Sequence, residues 1–299
     1  MGSADLGLYE SVLQRSRERH WLGDLAARMR KNRVGMIGVL LVALSFATAV
    51  LAPVIAPYNP NDTISPRFSS PNAEALLGTD EFGRDLLSRV IFGAQGAIRV
   101  AIVSVVIALG AGASAGLIAG YFGGWTEAVV MRLADMMFSI PPLILAIAIA
   151  AVLGTGLTNV IIAIGIVYTP AFARIVRAPV LVIKETQYVD AARTIGAGHA
   201  RIVLRHVLPN IMAPLIVQTT FSLSTAILTE STLSFVGLGV QPPDPSWGAM
   251  LNGSRTFMEL AWWLAVFPGA AIMVVVIGFN LMGDGLRDVL DPRLRTGAR

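Results

Sequence analysis

The chain has 299 residues, 55% of them hydrophobic and 14% charged, with a formal net charge of +4 and no cysteine. A soluble domain carries roughly a quarter charged residues, so these proportions point to several bilayer spans. The missing cysteine excludes disulfides, thiolate chemistry and cysteine-held metal or cluster sites.

The N-terminal tail, residues 1–33, places Leu8, Val12, Trp21, Leu22, Leu25 and Met29 at near-helical spacing among basic residues. That pattern predicts an amphipathic helix on membrane lipid; a disordered basic tail that only sets topology is the alternative. Val34 to Ala56 is the first uncharged run. At 1.5 Å per residue it is long enough for about 30 Å of hydrocarbon. It is too long for a signal-peptide core and reads as a retained span.

Residues 57–96 read as an outer loop that leaves the membrane through Pro57-Tyr58-Asn59-Pro60. Within it, Thr79 or Asp80 is expected to cap a short interfacial helix with Leu86, Leu87, Val90 and Ile91 on one face and Arg84, Asp85 and Arg89 elsewhere. Val100 to Phe122 is the second span. It contains Gly112, Gly116 and Gly120, whose spacing allows close helix approach inside the chain or against another subunit.

Met136 to Ala173 is uncharged and too long for one span. Gly154-Thr155-Gly156 is expected to divide it, and Pro141-Pro142 to kink its first half. Arg132 and Asp135, three residues apart, are expected to pair on one helix face. Val207 to Thr229 and Leu260 to Gly283 complete six spans, and Glu230 at the end of the fifth is read as structural. The last outer loop, residues 237–251, has prolines that forbid a regular helix, and Trp247, Trp262 and Trp263 suit a membrane interface.

Six spans put both termini on one side. The tail before Val34 holds seven basic residues, Arg174 to His206 six more, and Arg287, Arg293, Arg295 and Arg299 follow at the end. The opposite loops hold Arg67, Arg84, Arg89 and Arg255. This bias makes both termini cytoplasmic. The positive charge therefore reads as topology and not as nucleic-acid binding, since no basic groove or known motif accompanies it. His20, His199 and His206 are too scattered for a metal site.

Residues 187–207 resemble neither span beside them. Gln187 to Gly196 predicts a short helix with Tyr188, Ala191, Ala192 and Ile195 on a face, and Gly196 and Gly198 allow a sharp turn. Residues 199–207 then form a second short helix with Ile202 and Val203 inward, and Pro209 starts the fifth span where a missing N–H costs little. The product is a compact cytoplasmic helix pair, more ordered than a connector needs.

No stretch is read as G-x-x-x-x-G-K-[ST], as a G-x-S-x-G nucleophile motif or as H-E-x-x-H, and no span carries a deep row of Asp, Glu or His. An autonomous pump, hydrolase or proton-coupled carrier is poorly supported.

Residues 190–209 resemble the coupling segment of ABC-importer permeases, E-A-A-x3-G-x9-I-x-L-P, read here as Asp190-Ala191-Ala192, Gly196 and His206-Val207-Leu208-Pro209. Asp stands for Glu, and His for Ile. LLGTDEFGRDLLSRVIFGA, LSFVGLGVQPPDPSWGAML and FNLMGDGLRDVLDPRLR are similar to the C-type permease subunit of dipeptide and oligopeptide importers. The likeness runs from about Asn32 to Arg295.

It implies an all-α membrane protein of six transmembrane helices with the type I ABC importer permease fold. Residues 97–284 would hold the five-helix core and 285–299 a cytoplasmic tail. The implied place is the bacterial inner (plasma) membrane. The implied partners are a second homologous permease, two ABC ATPases that bind ATP and Mg, and an extracytoplasmic peptide-binding protein; the chain itself would hold no cofactor or metal and be no enzyme. Asp190, Ala191, Ala192, Arg193, Gly196, Gly198, Arg201 and Arg205 are expected to serve ATPase coupling. Asp80, Gly83, Arg84, Asp85, Gln241, Pro242 and Trp247 are expected at the outer gate or the binding-protein contact. Competing readings are an importer of nickel or another small solute, an ion-coupled carrier, a membrane enzyme and a non-transporting scaffold.

Overall fold

The computed structural model describes Gly23 and residues 27–290. Of the expected tail helix, Leu8, Val12, Trp21, Leu22 and Leu25 lie outside these residues, as do Arg293, Arg295 and Arg299. Residues 27–31 are helical, and Asn32 then caps helix α1 (Arg33–Ile55) by accepting the Gly35 N–H at 2.9 Å.

The remaining helices are α2 (Leu86–Phe122), α3 (Gly124–Phe138), α4 (Pro142–Leu153), α5 (Leu157–Ile183), α6 (Gln187–Thr194), α7 (His199–Ile202), α8 (Leu208–Phe235), α9 (Trp247–Ser254) and α10 (Trp263–Leu290). By length and composition α1, α2, α5, the run from α7 through α8, and α10 are each able to cross a membrane. Helices α3 and α4 form a pair bent by 91°, which makes the sixth pass when counted as one broken span.

Several expectations change at element ends. The expected interfacial helix is the start of α2, a single helix of 37 residues whose length is about 55 Å. Its cap is Asp85, not Thr79 or Asp80: the Asp85 carboxylate accepts the Ser88 N–H at 2.8 Å and the Ser88 hydroxyl at 2.6 Å. The third pass does not begin at Met136. It begins at Gly124, straight after α2, and breaks at Pro141 because a proline offers no N–H and crowds the preceding turn. The break at Gly154-Thr155-Gly156 occurs as expected, with both glycines at positive φ (91° and 125°). Helices α8 and α10 run past the predicted ends, so Glu230 lies inside α8.

Packing centres on α5, where 56% of the apolar window is buried, against 28% for α1. The stripe Gly112, Gly116 and Gly120 of α2 faces α5. A Cβ at Gly112 would meet the Thr169 carbonyl, one at Gly116 the Ala173 carbonyl, and one at Gly120 the Val180 side chain. Close backbone approach inside the chain is therefore what this spacing encodes. The same stretch spells G-x-S-x-G from Gly112 to Gly116, but it lies mid-helix, where no nucleophile elbow forms.

Helix α1 packs on α10 through a narrower seam. Its buried residues Gly35, Gly38, Val42, Ser45, Ala49 and Ala52 alternate in steps of three and four, the spacing that keeps one face toward a partner helix. Gly35 meets Gly285 and Met29 there, and the Asn32 amide donates to Asp288 at 3.2 Å.

Helix α3 is held differently. Ala134 is its one buried residue. Two ion pairs fasten it to α5, Glu127 with Arg177 and Asp135 with Arg174, the latter at 2.6 Å. Asp135 thus turns across to α5 instead of pairing with Arg132 along its own helix.

Candidate functional site

The bundle has two specialised ends. At one, α6 and α7 project as a helix pair. At the other, residues 57–85 and 236–262 gather over the helix ends.

In the helix pair, Asp190 sits in the first turn of α6 and Arg193 in the last, each sign matching the helix dipole. The helix closes with two capping bonds, Gly196 N–H to the Arg193 carbonyl at 2.9 Å and Ala197 N–H to the Ala192 carbonyl at 3.0 Å. This is the Schellman arrangement, and it needs a left-handed residue at the position of Gly196, whose φ is +81°. Gly198 has φ −68°; the turn rests on Gly196, and Gly198 contributes no left-handed backbone.

The second helix does not end before the fifth span. It passes through a π turn, Val203–Val207, directly into α8. Pro209 lacks the N–H that would bond the Arg205 carbonyl, and its ring would crowd that turn; the wider π turn accommodates it. His206, which stands where the coupling pattern has Ile, lays its ring 6.2 Å from that of Tyr188.

Val189, Ala192, Ile202 and Val207 are buried and join the apolar core. Ala192 therefore seats the pair and is not on its surface. Tyr188, Ala191 and Ile195 share the outward face of α6, with Leu204 exposed beyond the turn; Ile195 is 84% exposed and Leu204 64%. Asp190, Arg193, Gly196, Gly198, Arg201 and Arg205 are also exposed, and Arg193 donates to Asp190 at 2.9 Å. A surface that carries isolated large apolar groups among small residues and exposed arginines suits contact with another protein.

The loop-bearing end is built from buried polar groups. Asp80 accepts the Phe82 N–H at 2.8 Å, the Arg84 N–H at 3.0 Å and the Arg84 side chain at 2.6 Å, and lies 3.4 Å from Arg89. Arg89 is buried and donates to the Pro60 carbonyl at 2.8 Å. Gly83 has φ +75°, and a Cβ there would strike the Ser65 carbonyl. Asp85 is the α2 cap. Gln241 donates to the Gly237 and Gly239 carbonyls.

Trp247 and Trp263 are buried among the chain's own residues; Trp262 alone of the three is exposed. The Trp247 indole N–H donates to the Val90 carbonyl at 2.9 Å, and its ring fills the space left by Gly93. The prolines keep residues 236–246 non-helical, and α9 starts at Trp247 immediately after them.

Glu230 is 2% exposed and accepts the hydroxyls of Ser231, Ser234 and Ser246, the last from the loop. No local sequence pattern reveals this partner set.

Asp80, Arg84 and Pro242 line one cleft of about 490 Å³ at this end, with Glu81 and Phe82 beside them. Asp85, Gly83, Gln241 and Trp247 frame it without lining it. A second cleft of about 740 Å³ lies between the α1 exit and residues 240–245 and contains Arg99 and Asp244. Arg99 escapes a reading by loops and runs because it falls one residue before an uncharged span.

Residues 112–296 match the family of binding-protein-dependent transport system inner membrane components, and residues 21–73 match the N-terminal transmembrane domain of oligopeptide transport permease C. The chain is 47% identical over 274 residues to the di/tripeptide transport system permease protein DppC of Pseudomonas aeruginosa, covering 89% of this chain and 90% of that one. It is 43% identical to the dipeptide transport system permease protein DppC of Alkalihalophilus pseudofirmus, over 90% and 89% of the two chains. It is 43% identical to the glutathione transport system permease protein GsiD of Escherichia coli, again over 90% and 89%. With its all-helical, multi-pass architecture, the chain belongs to the inner membrane components of binding-protein-dependent transport systems: it is a membrane permease of the ABC importer class.

Proposed function

We propose that this chain is one of two related permease subunits of an ATP-driven importer of di- and oligopeptides in the bacterial inner membrane. Both termini and the α6–α7 pair face the cytoplasm, where two ABC ATPases bind ATP and Mg. An extracytoplasmic peptide-binding protein delivers its load at the loop-bearing end. The chain's own part is non-catalytic: it forms half of the pathway and converts closure of the ATPases into movement of helices.

One observation carries this reading. The helix pair buries four apolar side chains in the bundle and turns Tyr188, Ala191, Ile195 and Leu204 outward. Ile195 and Leu204 are anchors for an ATPase groove. Asp190, Arg193, Arg201 and Arg205 supply charges around them, and Ala192 and Gly196 fix the pair's shape. The continuous run from α7 into α8 makes the pair a lever, since a rigid element transmits a discrete rearrangement. The peptide substrate is supported by the names of the relatives, which concern di- and tripeptides and glutathione, itself a tripeptide.

The test is a gentle detergent pull-down of this chain from its own membranes, with every co-purifying protein identified. A second permease, ATPase subunits and a peptide-binding protein are expected. Recovery of this chain alone, still transporting in vesicles without ATP, overturns the proposal in favour of an autonomous carrier. Within the complex, Ile195→Asp is expected to release the ATPases. Charge reversal at Asp190, or Gly196→Pro, is expected to separate ATP hydrolysis from peptide uptake while the chain still inserts.

A further inference from the structure

The helix pair is covalently joined to α5 and α8. Helix α2 has no such link, yet it alone among the five long helices holds no internal proline. Pro53 lies within α1, Pro170 and Pro179 within α5, Pro214 within α8 and Pro268 within α10, whereas the 37 residues of α2 contain none. Prolines are one place where long helices bend; α2 runs as one proline-free helix from one end of the bundle to the other.

Both ends of α2 are attached. At the helix-pair end the Tyr121 hydroxyl and His199 Nδ1 lie 3.0 Å apart. Among the described residues this is the one hydrogen bond between α2 and residues 187–207. The His199 ring also lies 5.6 Å from the Tyr121 ring and 5.8 Å from that of Phe122, so the last two residues of α2 clasp the first residue of α7. At the other end, the Leu86 N–H donates to the Gly78 carbonyl at 3.1 Å and Ser88 accepts the Tyr58 N–H at 3.1 Å. Arg89 holds Pro60, and Val90 holds Trp247 of the second loop. A shift of α7 along the bundle therefore has a continuous route to both outer loops.

We infer that α2 carries movement of the helix pair to the loop-bearing end, with Tyr121 and His199 as the positioning residues that attach it. The inference rests on the docking reading above. Tyr121 and His199 touch neither peptide nor nucleotide in this scheme. They set whether an ATPase event reaches the loops through α2 as well as through the covalently joined α5 and α8.

The chain has no cysteine, so Leu76→Cys gives a single labelling site in this subunit. Leu76 is exposed and lies two residues before Gly78. The labelled chain is assembled with its partners in nanodiscs, and the label's fluorescence is followed on adding a non-hydrolysable ATP analogue. A clear change is expected in the parent. Tyr121→Phe keeps the ring and removes the hydroxyl; most of the change is expected to be lost while the ATPases remain bound. His199→Ala is expected to act likewise and serves if Tyr121→Phe assembles poorly. His199→Asn, which places a polar atom near Nδ1, is expected to restore most of the change. A merely structural role would alter yield and thermal midpoint together and would not follow this order.

An unchanged signal in both Tyr121→Phe and His199→Ala overturns the inference, as does a parent with no ATP-dependent change. Ile195→Asp separates the two levels. If the ATPases stay bound and the signal persists in that variant, the docking reading itself is wrong, whatever Tyr121 does.

Discussion

The two ends of this bundle are held together by opposite means. At the loop-bearing end, buried Arg89, Glu230 and Trp247 tie separate chain segments with charge-assisted and indole hydrogen bonds, and buried Asp80 braces the nearby Arg84 and Arg89. At the helix-pair end, the seat is apolar, made by Val189, Ala192, Ile202 and Val207, and the charged residues look outward. Directional bonds in a dry setting resist small displacements, because a buried group that loses its partner keeps its full desolvation cost. An apolar seat tolerates sliding, since the hydrophobic effect has no direction. A cross-braced end and a slidable end are what a lever needs: one part is pushed and the other responds as a unit.

The sharpest way to break this contrast is Asp80→Ala. It strips Arg84 and Arg89 of their common carboxylate and leaves two backbone N–H groups without an acceptor. Removing one member of a buried pair costs about 3–5 kcal/mol. Thermal unfolding of the purified chain should show a large drop, and Asp80→Asn, which still offers an oxygen to the N–H groups, a smaller one. Equal midpoints for Asp80→Ala and the parent would show that this end is not braced as described.

The contact between the ends comes next. Gly116→Leu forces a side chain against the Ala173 carbonyl of α5, and overpacking of this kind costs about 1–3 kcal/mol. Gly110 lies on the same helix with nothing within 4 Å of a built Cβ, so Gly110→Leu is the matched control and should leave the thermal midpoint of the isolated chain nearly unchanged. A smaller loss is expected from Glu230→Gln. The amide oxygen still accepts from the serine hydroxyls, so stability should fall by about 1 kcal/mol or less, the scale of one net hydrogen bond, with a correspondingly small drop in the midpoint. Glu230→Ala, measured beside it, should fall further, because no acceptor remains.

The sequence discloses these regions unequally, for physical reasons. Spans are visible because hydrocarbon demands uncharged runs, and α1, α5 and α10 appear wherever such runs occur. The helix pair is visible because Gly196 marks a left-handed cap and Pro209 a helix start, both local signals. The ends of runs mislead where a helix continues past the membrane: α2 begins fourteen residues before Val100, since Asp85 caps it and no breaker intervenes. The loop-bearing end stays hidden because its bonds join distant segments. Nothing near Asp80 announces Arg89 as a partner in place of solvent, and nothing near Glu230 announces Ser246. Trp247 and Trp263 read as interfacial by residue type, yet each indole N–H finds a backbone carbonyl, Val90 and Thr79, and goes inside. Asp135 likewise looks like a partner for Arg132 until α3 folds back on α5.

The smallest stability effect, and the most telling, belongs to the Asp190–Arg193 pair. The two side chains are 2.9 Å apart but remain 61% and 41% exposed. Exposed pairs contribute about 0–1 kcal/mol, so Asp190→Ala should scarcely move the thermal midpoint, and added salt should erase what difference there is. The same change should matter in the assembled importer, where a docked ATPase excludes water and a charge left unpaired becomes costly. Measured together, an unaltered midpoint and a weakened hold on the ATPases would place Asp190 at the contact. A large fall in the midpoint of the isolated chain would instead make the pair part of the brace, and the two ends would no longer differ in kind.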